Sequence, residues 1–310
     1  MTGIRYSLPI ALLLLACTAQ DSQARVLEAG PNRTYKLPSE AIAAAHDGDT
    51  VRIDAGEYFD CATVRTNLTI EGVGPNGSTV LTDKTCGGKA LLVAAGADIT
   101  IRNMTLTRAR VPDMNGAGIR AEGGHLTVER VRFINNQNGI LSAANPEGSI
   151  VVRDSEFTRN GLCSPSCAHG IYAGQVGLLR VERTKFLETK EAHHIKSRAL
   201  RTEVIGCDIR DGETGTASYM IEVANGGSLL VRDSTLVKGP QAENHTGAIM
   251  IGTEGVTQPT REILIENNTF RNEGDYNTFF VVNLTATEAM LKGNKISGNA
   301  KPLRGDGQVR

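Results

Sequence analysis

Residues 191–200 read Glu-Ala-His-His-Ile-Lys-Ser-Arg-Ala-Leu and gather two histidines, a lysine and an arginine around one isoleucine. Three chemistries are open to such a group. Cations brought together can bind an anion and stabilise negative charge that develops in a transition state. A lysine or histidine whose neighbours repel its proton can act as a base near neutral pH. Paired histidines can ligate a metal ion. Which of these applies depends on which side chains share a face, and that depends on the elements that carry them.

A repeat supplies those elements. Stretches 99–106 (ITIRNMTL), 126–136 (LTVERVRFINN), 150–160 (IVVRDSEFTRN), 179–186 (LRVERTKF), 202–209 (TEVIGCDI), 229–236 (LLVRDSTL), 263–270 (ILIENNTF) and 289–296 (AMLKGNKI) share one pattern of alternating apolar residues. It ends on the anchors Leu106, Phe133, Phe157, Phe186, Ile209, Leu236, Phe270 and Ile296, which are 23 to 34 residues apart. Alternation within each unit means strands, and a period in this range means a repeat architecture. A second short strand follows in each unit, centred on Ile119, Ile140, Ile171, Ile195, Ile221 and Ile249. Two strands and turns per coil describe a solenoid whose coils stack about 4.8 Å apart. A β-propeller blade needs four strands and about 40 residues, so the spacing excludes it. The expected fold is all-β, a right-handed parallel β-helix.

Composition agrees. The 310 residues contain 34 glycines, no tryptophan and 4% aromatics, which suits a core of Ile, Val and Leu in many short strands. With 33 basic and 34 acidic residues the formal charge is −1, so nothing points to a nucleic-acid partner. Residues 1–24 read as an export signal, with Arg5 before an apolar run too short to span a bilayer. Leu14-Leu15-Ala16-Cys17 resembles a lipobox that would put a lipid anchor on Cys17, and Ser22-Gln23-Ala24 offers an ordinary cleavage site. Both remain open, and either sends the chain to an oxidising compartment: periplasmic, outer-membrane or secreted. No later segment is a membrane-span candidate. The β-helix is expected over 25–300, followed by a tail at 301–310. Cys163 and Cys167, four apart, can close a small loop.

Residues 38–60 (PSEAIAAAHDGDTVRIDAGEYFD) resemble the entrance of the pectin-lyase-like β-helix superfamily. The resemblance implies a short amphipathic helix near Ser39–His46 that caps the open end. It fixes no activity, because that superfamily spans lyases, hydrolases, epimerases, phage spikes and adhesins. Cys61 and Cys86, about one repeat apart, are then expected to staple neighbouring coils. Cys207 aligns with an inward strand position and is expected to be a buried free thiol.

Strand parity sorts the second strands into columns. The inward column is that of Ile171, Ile195 and Ile221. Outward, just after it, stand Arg120, Leu141, Tyr172, Lys196, Glu222 and Met250. Just before it stand Gly118, Gly139, Gly170, His194, Met220 and Ala248. His194, Lys196 and Arg198 are thus expected on one outer face, beside space left by glycines and alanines, with Tyr172 and Glu222 on the flanking coils. Removing Lys196 or Arg198 would then leave the solenoid intact. Arg120 shares the column three coils away, and His169 and His193 align at the strand entry, where either direction is open. One outer lysine needs no function on a solenoid; the trio exceeds that background.

The chemistry this group suits is β-elimination of a uronate-containing polysaccharide. Such a reaction neutralises a carboxylate, removes the C-5 proton and protonates the leaving oxygen. Arg198 is expected to neutralise the carboxylate, Lys196 to act as base, His194 or Tyr172 as acid, and Glu222 to orient Lys196. Arg120, His193 and His169 are expected to help bind substrate. Lyases of this fold that act on alginate and chondroitin also use a Lys and an Arg, but on different coils, so the resemblance lends the reaction type alone. Pectate lyases of this fold hold calcium with clustered aspartates, which are missing here. Polygalacturonases need paired aspartates and Gly-His-Gly, also missing. No cofactor or metal set is indicated, although calcium stays possible. The alternatives are a C-5 uronate epimerase, a non-catalytic module binding acidic polysaccharide, and a purely structural solenoid.

Overall fold

The computed structural model describes residues 2–3, 23–75 and 77–310. The export segment with Cys17 lies outside them, apart from residues 2–3 and its end at 23–24. The described chain forms a parallel β-helix: one sheet of 20 strands and one of 10, with a two-stranded ribbon beside them. All eight anchors stack in register, from Leu106 against Phe133 through to Phe270 against Ile296. On the 10-stranded sheet, Ile119, Ile140, Ile171, Ile195, Ile221 and Ile249 do the same. The Phe133, Phe157 and Phe186 rings lie face to face, with centroids 4.4 and 4.7 Å apart. Stacking along the axis follows from the repeat: identical residues one coil apart fall at strand spacing, so apolar surface is buried between coils.

Most coils hold three strands rather than the two expected. The fifth residue of each repeat stretch takes a positive φ: Asn103, Arg130, Asp154, Arg183, Gly206, Asp233, Asn267 and Gly293, between 46° and 63°. Asn, Asp and Gly accept this left-handed bend most readily, which explains their recurrence there. The bend turns each unit about a corner and leaves its last apolar residue, the anchor, inside.

The helix Pro38–Ala44 covers the N-terminal end with Ala41 and Ile42 buried. The Glu40 carboxylate accepts from the Lys36 and Leu37 N–H groups at 2.7 and 3.3 Å, ahead of Pro38. At the other end, residues 301–310 are no tail. Strands Ala300–Arg304 and Gly307–Val309 add a further coil on Thr278–Asn283 and Ala289–Lys292. Disulfides join Cys61 to Cys86 and Cys163 to Cys167, and Cys207 is a buried thiol. Burial pushes that thiol up to about 12.

Candidate functional site

The strand His193–Ser197 lies between Ile171–Ala173 and Tyr219–Val223 and sets Tyr172, Lys196 and Glu222 side by side, as parity requires. Parity fails at the strand entry. His194 is wholly buried on the core side, where Thr189 Oγ1 and Asp211 Oδ1 each lie 2.7 Å from its ring nitrogens. It stands edge-on to the Phe186 ring and does not join Lys196 and Arg198.

The glycines of the same column show why. A Cβ on Gly118 would come 2.8 Å from the Phe133 ring, and one on Gly139 2.6 Å from Phe157. Two successive residues, this one and the isoleucine, therefore both enter the core. Where the anchor of the following unit is phenylalanine this position holds Gly or Ala; His194 and Met220 occur where that anchor shrinks to Ile209 and Leu236. The glycines thus leave room for the ring ladder inside, not for Lys196 outside.

The kink turns the preceding column outward instead. His169 and His193 stack at 4.9 Å, His193 stacks on Tyr219 at 4.9 Å, and His169 lies against Tyr172 at 5.5 Å. The His193 backbone N–H donates to His169 Nδ1, and the Tyr219 N–H donates to His193 Nδ1, both at 3.2 Å. Each ring then carries its remaining hydrogen on Nε2. That of His193 faces Glu222 Oε2 at 3.1 Å. That of His169 has no protein acceptor among the described residues and belongs to the cleft lining. Burial first, then the neighbouring His193 and the positive charges of Lys196 and Arg198, keep His169 well below the usual histidine range and so neutral.

Lys196 is clamped. Its Nζ lies 2.9 Å from Glu222 Oε2 and donates to Glu254 Oε1 at 2.6 Å. Burial would lower its ammonium, but the two carboxylates outweigh that and hold it above its ordinary value. Glu222, nearly buried, also accepts from Thr253 Oγ1 at 2.7 Å. Burial opposes its charge, yet His193, Lys196 and Thr253 keep it far below the usual carboxylate range. Arg198 donates from Nε to the Tyr172 hydroxyl at 2.9 Å and reaches Glu254 and Asn225 with its terminal nitrogens.

His169, Tyr172, His193, Lys196 and Arg198 border an open cleft of about 350 Å³ whose lining also includes Asn115, Asn138 and the disulfide loop at Ser166 and Cys167. Arg120 keeps its place in the column but stays outside the cleft, with Nε 3.4 Å from Glu122. Glu254 and Asn225 were not legible as site residues. Both sit on turns that follow strands, and a turn offers no parity. No group of three or more His, Cys, Asp or Glu among the described residues could hold a metal ion. No described helix is long and apolar enough to cross a membrane.

Among solved structures, an alginate lyase from Paenibacillus sp. str. FPU-7 superposes with a TM-score of 0.59 at 16% identity, covering 92% of this chain and 99% of the other. The pectin methylesterase of Aspergillus niger superposes with a TM-score of 0.57 at 13% identity, covering 81% and 85%. The fold is the right-handed, pectin-lyase-like β-helix. Identities this low speak for the fold alone. No family model and no curated protein matches the sequence.

Proposed function

We propose that the protein is an exported enzyme that cleaves a uronate-containing polysaccharide by β-elimination, with the sugar carboxylate seated between Lys196 and Arg198. The observation that carries this reading is the reach of both cations to one carboxylate, that of Glu254, beside a phenol already bonded to Arg198. Two positive charges on a uronate would lower the energy of the enolate-like intermediate.

In this proposal the base passes from Lys196 to Tyr172, because Glu222 and Glu254 hold the lysine protonated. The Tyr172 oxygen, beside the Arg198 guanidinium and with its own proton first passed to solvent, takes the C-5 proton. The bond from C-4 to the leaving oxygen breaks, and the phenol returns its proton to that oxygen. The products are a chain end with a C-4 to C-5 double bond and a chain end with a free hydroxyl. Lys196 and Arg198 act by charge, His169 donates its Nε2 hydrogen to the sugar, and Glu222 positions Lys196 and His193. His194 has no part in this scheme, since its ring is enclosed.

Two of the structures with this fold are named for alginate and pectin, which makes an acidic polysaccharide the natural ligand by analogy. Two disulfides suit an oxidising compartment, hence a periplasmic, outer-membrane or secreted location. The test is ultraviolet absorbance of the conjugated product when the protein meets a panel of polyuronates. Inverted uronate signals in NMR without new absorbance would replace the lyase by a C-5 epimerase. Binding with neither change would leave an acidic-polysaccharide binding module.

A further inference from the structure

Glu254 occupies the place the proposed reaction needs for its substrate. One of its oxygens accepts from Lys196 Nζ at 2.6 Å and the other faces the Arg198 guanidinium. Each cation of the pair is thereby satisfied in the free protein by a carboxylate of the chain itself. The two glutamates on Lys196 differ in kind. The Glu222 side chain is 4% exposed and is held by His193 and Thr253 as well; that of Glu254 is 37% exposed and has only the two cations. Glu254 is therefore the partner that can leave.

The backbone beneath it is fixed. The Glu254 N–H donates to the Ala224 carbonyl at 2.9 Å, and the N–H groups of Thr257 and Gln258 donate to the Asn225 carbonyl. Asn225 also faces the Glu254 and Gly255 carbonyls with its side-chain nitrogen while accepting from Arg198. Rotation of one side chain, without opening of a lid, would empty the seat and leave Lys196, Arg198 and Asn225 in position.

We propose that Glu254 is a built-in stand-in for the substrate carboxylate, which an incoming uronate must displace, so that it sets affinity and rejects neutral sugars. A neutral sugar offers nothing to replace the lost charge: Lys196 would keep Glu222 alone and Arg198 no carboxylate, which is costly in a half-buried site. A uronate makes the exchange nearly even. Because only molecules with the seat vacant bind, apparent affinity is the intrinsic affinity scaled down by the vacant fraction. The inference rests on the uronate reading for its ligand, but the seat itself can be probed with acetate.

The experiment compares wild type, Glu254→Ala and Glu254→Gln. Thermal melts in sodium acetate are set against equal sodium chloride, and calorimetry measures binding of trigalacturonate and trimannuronate. The expected results are an acetate-specific rise in Tm for Glu254→Ala but not for wild type, and uronate binding about tenfold tighter or more in both variants. Acetate stabilisation with no uronate bound by any form would keep the seat and overturn the elimination reading. No acetate-specific rise in Glu254→Ala, or a uronate that wild type binds and the variants bind no more tightly, overturns the stand-in. If Glu254→Ala does not fold, Glu254→Gln decides the matter by uronate affinity.

Discussion

Arg198 donates its Nε–H to the Tyr172 hydroxyl at 2.9 Å across the boundary between two coils. The bond aims the phenol oxygen at the cleft and sets a fixed positive charge beside it. Tyr172→Phe removes the proton carrier with almost no change in shape. Turnover should fall by about 10²–10⁴, while the melting temperature stays near that of wild type. Arg198→Lys keeps the charge but loses the fork, and should retain more activity than Arg198→Ala. Initial rates on the best polyuronate, with melts as the fold control, check both. Unchanged turnover in Tyr172→Phe would remove Tyr172 from the chemistry.

Lys196 is not the freely removable outer residue that parity suggests. Deleting its side chain strands the nearly buried Glu222 carboxylate, which keeps only His193 and Thr253. Lys196→Ala should therefore destabilise by about 1–3 kcal/mol. The double variant Lys196→Met, Glu222→Gln should recover part of that loss. Denaturant titration of the three proteins measures it, and a neutral Lys196→Ala would show that the clamp contributes nothing.

Lys238 is fully buried, with its Nζ donating to the Ser218 carbonyl at 2.9 Å. Burial pushes its ammonium down to about 8, against the pull of Asp211. A folded-state value below the unfolded one means that the folded chain sheds this proton first. Stability should therefore rise as pH climbs from about 8 toward 10, by up to about 3 kcal/mol over the full interval to 10.5. Above that window the half-buried Tyr276, held higher than usual by desolvation, works in the opposite sense. Unfolding free energies across this range should rise in wild type and stay flat in Lys238→Met.

The two disulfides close loops of different length, 25 and 4 residues in separation. Loop-closure entropy assigns about 3.5 kcal/mol to the Cys61–Cys86 bridge and about 2 to Cys163–Cys167. The double serine variant at 61 and 86 should lose more stability. The variant at 163 and 167 should mainly weaken ligand binding, because Cys167 lines the cleft. Cys207 should react with a thiol reagent only after unfolding, since it is buried and its thiolate is disfavoured.

The sequence by itself determined the solenoid and most of one column. Strand alternation and a recurring apolar anchor suffice for that: residues one coil apart must meet, so Tyr172, Lys196 and Glu222 could be aligned by counting. Counting failed for His194, where two successive residues enter the core to pack against the anchor ladder, and this same kink delivered His169 and His193 to the cleft. It also failed for Glu254, 58 residues from Lys196 on a turn that has no side-chain period. Which carboxylate closes on which cation depends on where turns of different length end in space. Only the tertiary structure decided that two carboxylates, Glu222 and Glu254, close on Lys196.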